Sequence, residues 1–304
     1  MNKVLSMKEA VARYVQDEMS VAMGCSLEGC IPFAAGHEIL RQGRKNLTLI
    51  GPISDILFDQ MIGGGSVSKV IAAWIGNVST GLGYHFRRAV EQGIPQPLQV
   101  DNHSNLSVAL ALKAGATGVP FAVTRSLLGS DIARNSNWFH PISCPFTGET
   151  LLAVKALEPD LAIVHAQRAD ADGNTQFWGS SGVAGDAARA AKNTIVVVEE
   201  LVDSNVIRSD PNRTFLPGFL VSAVVVEPWG AHPSPVQGYY GHHDSFYLEY
   251  GQVTRDPDQA KTWFDRYVFD VADRKSYIDL FSPQELASLK VSTSLPSGSV
   301  EFGF

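Results

Sequence analysis

Short apolar, β-branched runs alternate along the chain with stretches in which apolar side chains recur every three or four positions. Ser6-Met7-Lys8-Glu9 opens the series as a capping box, in which the serine and the glutamate satisfy each other's orphan amides. Val11, Tyr14 and Val15 follow at helical spacing, so a helix is predicted from Met7 to Glu18. Ser20-Val21-Ala22-Met23 reads as a strand stopped by Gly24, and Pro32 opens a helix through Ile39, Leu40 and Gln42. The alternation then repeats: strand 47–50, helix 54–62, strand 67–74, helix 84–92, strand 98–100, helix 106–114, strand 121–123. Strands separated by such helices require right-handed crossovers and a mostly parallel sheet.

The runs Leu161-Ala162-Ile163-Val164 and Thr194-Ile195-Val196-Val197-Val198, with Leu220 to Val226, are continuously apolar, as strands covered on both faces are. The expected fold is one α/β domain over residues 1–304, an open, mostly parallel sheet with helices on both faces. A helical C-terminal segment from about 256 to 290 carries Trp263, Phe264, Tyr267, Phe269 and Tyr277. Residues 124–150 hold Gly129, Pro141, Pro145 and Gly148 and little periodicity, which predicts a long surface excursion near a site or an interface. The end of the chain, around Pro296 and Gly298, is expected to fray.

Composition narrows the function. The 304 residues are 45% hydrophobic and 18% charged, enough for a large core, and no apolar run reaches the roughly 18 residues that span a bilayer. The net charge is -7, from 24 basic and 31 acidic residues, with no basic block longer than Arg44-Lys45 or Arg87-Arg88, which excludes a phosphate-backbone partner. Cys25, Cys30 and Cys144 form no CxxC pair, and no apolar leader precedes the first charges, so reduced thiols and a cytoplasmic location are expected. His242-His243-Asp244 invites a metal, but adjacent histidines diverge on either regular element and no partner stands at helical spacing; a surface or interface loop is expected, with no metal site. Gly63-Gly64-Gly65-Ser66 follows a helix rather than preceding one, and reads as a C-cap and turn. Fingerprints for dinucleotide binding, a P-loop or a serine nucleophile elbow are missing.

One loop remains, Gly24-Cys25-Ser26-Leu27-Glu28-Gly29-Cys30-Ile31-Pro32, leaving the first long strand and entering a helix. Ligands of doubly wound sheets sit in that crevice, where oriented amides can face a developing oxyanion. A tight strand-to-helix turn with no ligand explains the glycines equally well.

Several segments resemble the alpha subunits of glutaconate-type, two-subunit (family I) CoA-transferases. They are Ala12-Arg13-Tyr14-Val15 leading to Gly24, Glu38-Ile39-Leu40-Arg41-Gln42-Gly43, and His165-Ala166-Gln167 with Asp172-Gly173 and Trp178-Gly179. Ala191-Lys192-Asn193-Thr194-Ile195-Val196 with Glu199-Glu200, Gly230-Ala231-His232-Pro233-Ser234, and Trp263 with Val268-Phe269-Asp270 complete the set, in order over residues 1 to about 290. The resemblance implies an enzyme that moves CoA from an acyl-CoA to a carboxylic acid through glutamyl anhydride and glutamyl-CoA intermediates, without metal or redox cofactor. It also implies that the nucleophilic glutamate belongs to a beta subunit, so this chain supplies no nucleophile. Related pairs include hydrolases and decarboxylases of CoA thioesters, and a metabolite-sensing domain is a weaker alternative on a similar fold.

The same resemblance assigns substrate contacts to Gly24, Cys25, Ser26 and Gly29, although Cys25, Ser26 and Cys30 replace the family's usual glycine, phenylalanine and glycine. Ser26 either donates to a polar acyl group or simply widens the pocket, and Cys25 is read as a small buried hydrophobe rather than a nucleophile. Asn77 and Ser79, between Gly76 and Gly83, match a segment near the substrate. Asn105 stands where a related hydrolase branch carries a catalytic glutamate; an amide orients rather than abstracts protons, which favours transfer, while capping of the following helix is the alternative. Glu200 and His165 read as structural.

Overall fold

The computed structural model describes residues 3–291; the chain end expected to fray lies outside them. Eight strands run parallel in the order Val4–Leu5, Ala223–Val226, Asn193–Leu201, Leu161–Ala169, Ser20–Met23, Leu47–Ile53, Val67–Trp74, Gln99–Asn102. Alternation within each central strand sends side chains to two cores, as the period of two requires. Val21, Met23, Leu49, Val70, Ile163, Ile195 and Val197 meet the helices Met7–Tyr14, Phe33–Arg41 and Asp55–Gly63, together with the C-terminal region. Ala22, Ile50, Ile71, Ala162, Val164, Val196 and Val198 meet the helices Asn105–Thr117 and Ala184–Ala190 on the other face. Burial on both faces is what the unbroken apolar runs required.

The fold differs from the sequence expectation in three places. The strand Phe121–Thr124 leaves the parallel sheet and joins an antiparallel one with Thr150–Lys155 and Phe139–Ser143, so the excursion is a small sheet rather than an irregular loop. Phe139, Leu152 and Val154 on its inner face close over the second core. The first helix stops at Tyr14, four residues short of Glu18. The C-terminal helical region begins earlier than 256, with the helix Asp244–Val253. Its rings, Phe246, Tyr250, Trp263, Tyr267, Tyr277 and Phe281, form one edge-on cluster against the first core. No helix of the described residues is long and apolar enough to cross a membrane.

Strand order fixes where a site can form. From Ser20–Met23 the chain builds outward to Gln99–Asn102, then returns to lay Leu161–Ala169 on the opposite side of Ser20–Met23 and builds the other way. The order therefore reverses between these two strands, and the crevice beyond their carboxyl ends is the ligand position of an open α/β sheet.

Candidate active site

Gly24 leaves the strand Ser20–Met23 at this reversal point in the left-handed region, φ +66. A Cβ there would lie 2.6 Å from Ser54 Oγ, and Ser54 is itself fixed, its hydroxyl donating to the Met23 carbonyl at 3.0 Å. Opposite, Val183 N donates to the Cys25 carbonyl at 2.8 Å. Cys30 N donates to the Pro235 carbonyl at 2.9 Å, Ile31 N to Ser234 Oγ at 3.0 Å and Ala34 N to the Gly230 carbonyl at 2.9 Å. Two segments remote in sequence, Gly24–Pro32 and Gly230–Pro235, are thus one braced unit. Between the braces, the amides of Ser26, Leu27, Glu28 and Gly29 form no well-aligned hydrogen bond with another described residue.

Cys25 and Ser26 are buried, Gly29 is half-buried and Glu28 is exposed at the bend. Burial pushes the Cys25 thiol up to about 12, and burial aided by Glu199 does the same for Cys30. Neither sulfur offers a thiolate near neutrality, in keeping with Cys25 as a packed hydrophobe.

The next strands bring further polar groups to the same end of the sheet. Asn77 is fully buried: its Nδ2 donates to the Tyr247 carbonyl at 2.8 Å, and its Oδ1 accepts from the amides of Ser79 and Thr80 at 2.9 and 3.1 Å. The Asn77 carboxamide is thus engaged in shaping the loop. Ser79 is exposed on that loop, and Asn105 is exposed at the first turn of its helix. The cap there is Ser104, boxed with Ser107, so capping is not what Asn105 does. Asn105 follows the outermost strand, three strand spacings or roughly 14 Å from the Gly24 loop. Gly24, Cys25, Ser26 and Gly29 therefore share one loop, whereas Ser79 and Asn105 follow the two strands at the far edge of the sheet.

Other candidates are structural. His165 is buried with Nε2 2.8 Å from Glu199, whose carboxylate also accepts from Tyr240 at 2.6 Å and from Trp229 N at 2.7 Å. Glu200 accepts from the Tyr239 hydroxyl at 2.7 Å. His243 is buried rather than on a surface loop, with Nδ1 2.8 Å from His232 Nε2, while His242 pairs with Asp244 at 2.7 Å. No group of three or more His, Cys, Asp or Glu among the described residues is arranged to hold a metal ion. Sequence reasoning missed Asp55 and Tyr247, which flank the Asn77 loop from distant segments with no local signal.

The sequence profile of the Coenzyme A transferase family matches residues 4–227. The chain belongs to that family, on its alpha-subunit side. One subunit of the 3-oxoadipate CoA-transferase of Pseudomonas knackmussii is 42% identical, over 90% of this chain and 96% of its own length. Glutaconate CoA-transferase of Acidaminococcus fermentans is 33% identical, and its crystal structure superposes with a TM-score of 0.89 over 95% of this chain and 96% of that one. The decarboxylase AibA/AibB, at 29% identity, gives a TM-score of 0.75 over 87% of this chain and 99% of its own. The CoA-transferase chain is thus matched nearly end to end by its relatives.

Proposed function

We propose that this CoA-transferase chain forms one wall of a thioester pocket and that a beta subunit completes it with the attacking glutamate. The observation that carries the reading is the tight Cys25–Gly29 bend, held by Ser54, Val183, Ser234 and Pro235 at the strand-order reversal, with amides that make no well-aligned hydrogen bond to another element. Preorganised amides of this kind stabilise an oxyanion without reorganising during the reaction. In the proposed sequence the partner's carboxylate attacks the thioester carbonyl and CoA thiolate leaves, giving an acyl-glutamyl anhydride. The thiolate then attacks the glutamyl carbonyl, releasing the first acid and leaving glutamyl-CoA. The acceptor carboxylate repeats the attack, and the thiolate passes to it, regenerating the glutamate. The loop amides meet the carbonyl oxygen as negative charge builds on it.

The proposed acyl group is a short dicarboxylate, since two relatives of this chain are named for 3-oxoadipate and glutaconate. Asn105 supports transfer over hydrolysis because an exposed carboxamide there cannot deprotonate water. We place the enzyme in the cytoplasm, in keeping with three free cysteines, and working without a metal or redox cofactor because a carboxylate carries the acyl group.

Incubation of the purified pair with an acyl-CoA and an isotopically labelled dicarboxylate tests the proposal. Labelled acyl-CoA is expected, with the rate unchanged by EDTA. Stoichiometric free CoA without a labelled thioester would replace transfer by hydrolysis.

A further inference from the structure

Asp55 stands beyond the strand Leu47–Ile53, beside Ser54, and its geometry is unusual in three independent respects. Its backbone is left-handed, φ +48, in a region that residues with a side chain rarely occupy. Its side chain is fully buried. Its carboxyl is only half satisfied: Oδ1 accepts from the Val78 amide at 3.1 Å, whereas Oδ2 has no hydrogen-bond partner.

The surroundings repeat the theme. The Tyr247 hydroxyl lies beside this carboxyl, also without a well-formed hydrogen bond, and the His242 ring stacks on Tyr247 at 4.1 Å with a buried, unpartnered Nε2. Asn77 closes the circuit by donating to the Tyr247 carbonyl. Unpaired buried polar groups and a left-handed backbone both cost stability, so a residue serving the fold alone has no reason to combine them here. Strain and unpaired groups concentrate where a site needs them.

We propose that Asp55 is a positioning residue for acyl transfer: through Val78 it holds the Gly76–Gly83 loop, and with it Ser79, against the thioester pocket, and it does so only while ionised. The proposal rests on the CoA-transfer reading and adds to it a residue contributed by this chain. Burial raises Asp55 to about 6, against smaller opposing effects of Val78 N, Tyr247, His242 and Ile56 N. The groups facing it are Tyr247 and His242 on the C-terminal segment and the Val78 amide on the loop; Tyr250 lies one turn beyond, and Glu28 faces Tyr247 from the glycine loop. Tyr247 is itself pushed well above the ordinary phenol range, so it stays a neutral donor. Above about pH 6 the carboxylate accepts strongly from Val78 N; below it, the protonated acid accepts weakly and the loop loosens.

The test uses the assembled pair over pH 5 to 8, with two readouts. Amide-exchange protection of Val78 falls as the wild type is acidified through about pH 6, and KM for acyl-CoA rises by about tenfold, the worth of one charge-assisted hydrogen bond. Asp55→Asn gives a high KM that no longer responds to pH. Tyr247→Phe removes the hydroxyl that lies beside the carboxylate and favours its charged form, so the KM transition moves to higher pH. A folded Asp55→Asn complex that keeps the wild-type profile overturns the proposal; if that variant does not fold, an unshifted Tyr247→Phe profile overturns it instead. A pair that transfers no CoA at pH 8 while Val78 protection still titrates overturns the underlying reading and leaves the clamp as a structural fact.

Discussion

Gly24→Ala lowers kcat/KM of the assembled enzyme by about 100-fold or more, the effect of displacing a reacting group by about an ångström. The added methyl would meet Ser54 at 2.6 Å from Oγ and 2.8 Å from Cβ, in a backbone region where alanine is already strained by about 1–2 kcal/mol. Ser54 cannot turn aside freely, because it is buried and its hydroxyl is tied to the Met23 carbonyl. The loop must therefore move, and its amides lose their aim. The sheet beneath does not depend on that aim, so the variant still folds, with a modestly lower Tm. Gly29→Ala is the matched control. Its methyl would approach nothing closer than the Pro235 carbonyl at 3.6 Å, so Tm should not change, and any loss of activity there reports ligand approach alone. A Gly24→Ala enzyme within threefold of wild type would show that the loop backbone does not face the reacting carbonyl.

The second large effect is the response of stability to acid. Burial holds His85 down to about 3 and His103 to about 4, and keeps His37 and His232 well below the ordinary 6.5. The unfolded chain takes protons at these rings from about pH 6.5 downward while the folded chain does not, so stability is lost as pH falls. Three carboxyls, Asp55 and Asp59 fully buried and Glu227 half-buried, oppose this. Asp55 and Asp59 are raised by burial to about 6 and Glu227 to about 7, so the folded chain binds their protons first and gains stability between about pH 7 and 4. From pH 7 to 5 the three carboxyls offset only part of the loss from the four imidazoles. Below about pH 4 the carboxyl contribution is complete and the imidazoles remain, joined by Asp101, Asp160 and Asp170, whose partners hold them below the usual carboxylate range. The midpoint of urea unfolding should therefore fall modestly from pH 7 to 5 and collapse below about 4. A midpoint that climbs steadily into acid would show that the buried carboxyls dominate.

Much of the fold was legible because the central strands are covered on both faces. Ile163 and Ile195 face one core and Val164 and Val196 the other, so both runs read as unbroken apolar segments. The small sheet was not legible for the opposite reason. Phe139–Ser143 carries Pro141 within an edge strand, and Phe121–Thr124 leaves Phe121 and Val123 exposed, so neither shows a clean core-facing period. The helix Ala184–Ala190 was invisible because alanines fill its buried face, and small side chains give no apolar signal. At the site, the Gly24 loop and its neighbours could be placed from local pattern together with family resemblance. The roles of Asn77 and Asp55 could not, because each is decided by a contact from far along the chain: Asn77 by Tyr247, and Asp55 by Val78 and Tyr247.

The location of the covalent adduct decides whether this chain is half of an active site. Treat the assembled pair with acyl-CoA, reduce the glutamyl thioester with borohydride, and map the modified residue by mass spectrometry. The adduct should lie on a glutamate of the beta subunit, with this chain unmodified and inactive when alone. An adduct on this chain, above all on Glu28 at the exposed bend of the loop, or full turnover by the isolated chain, would contradict the account.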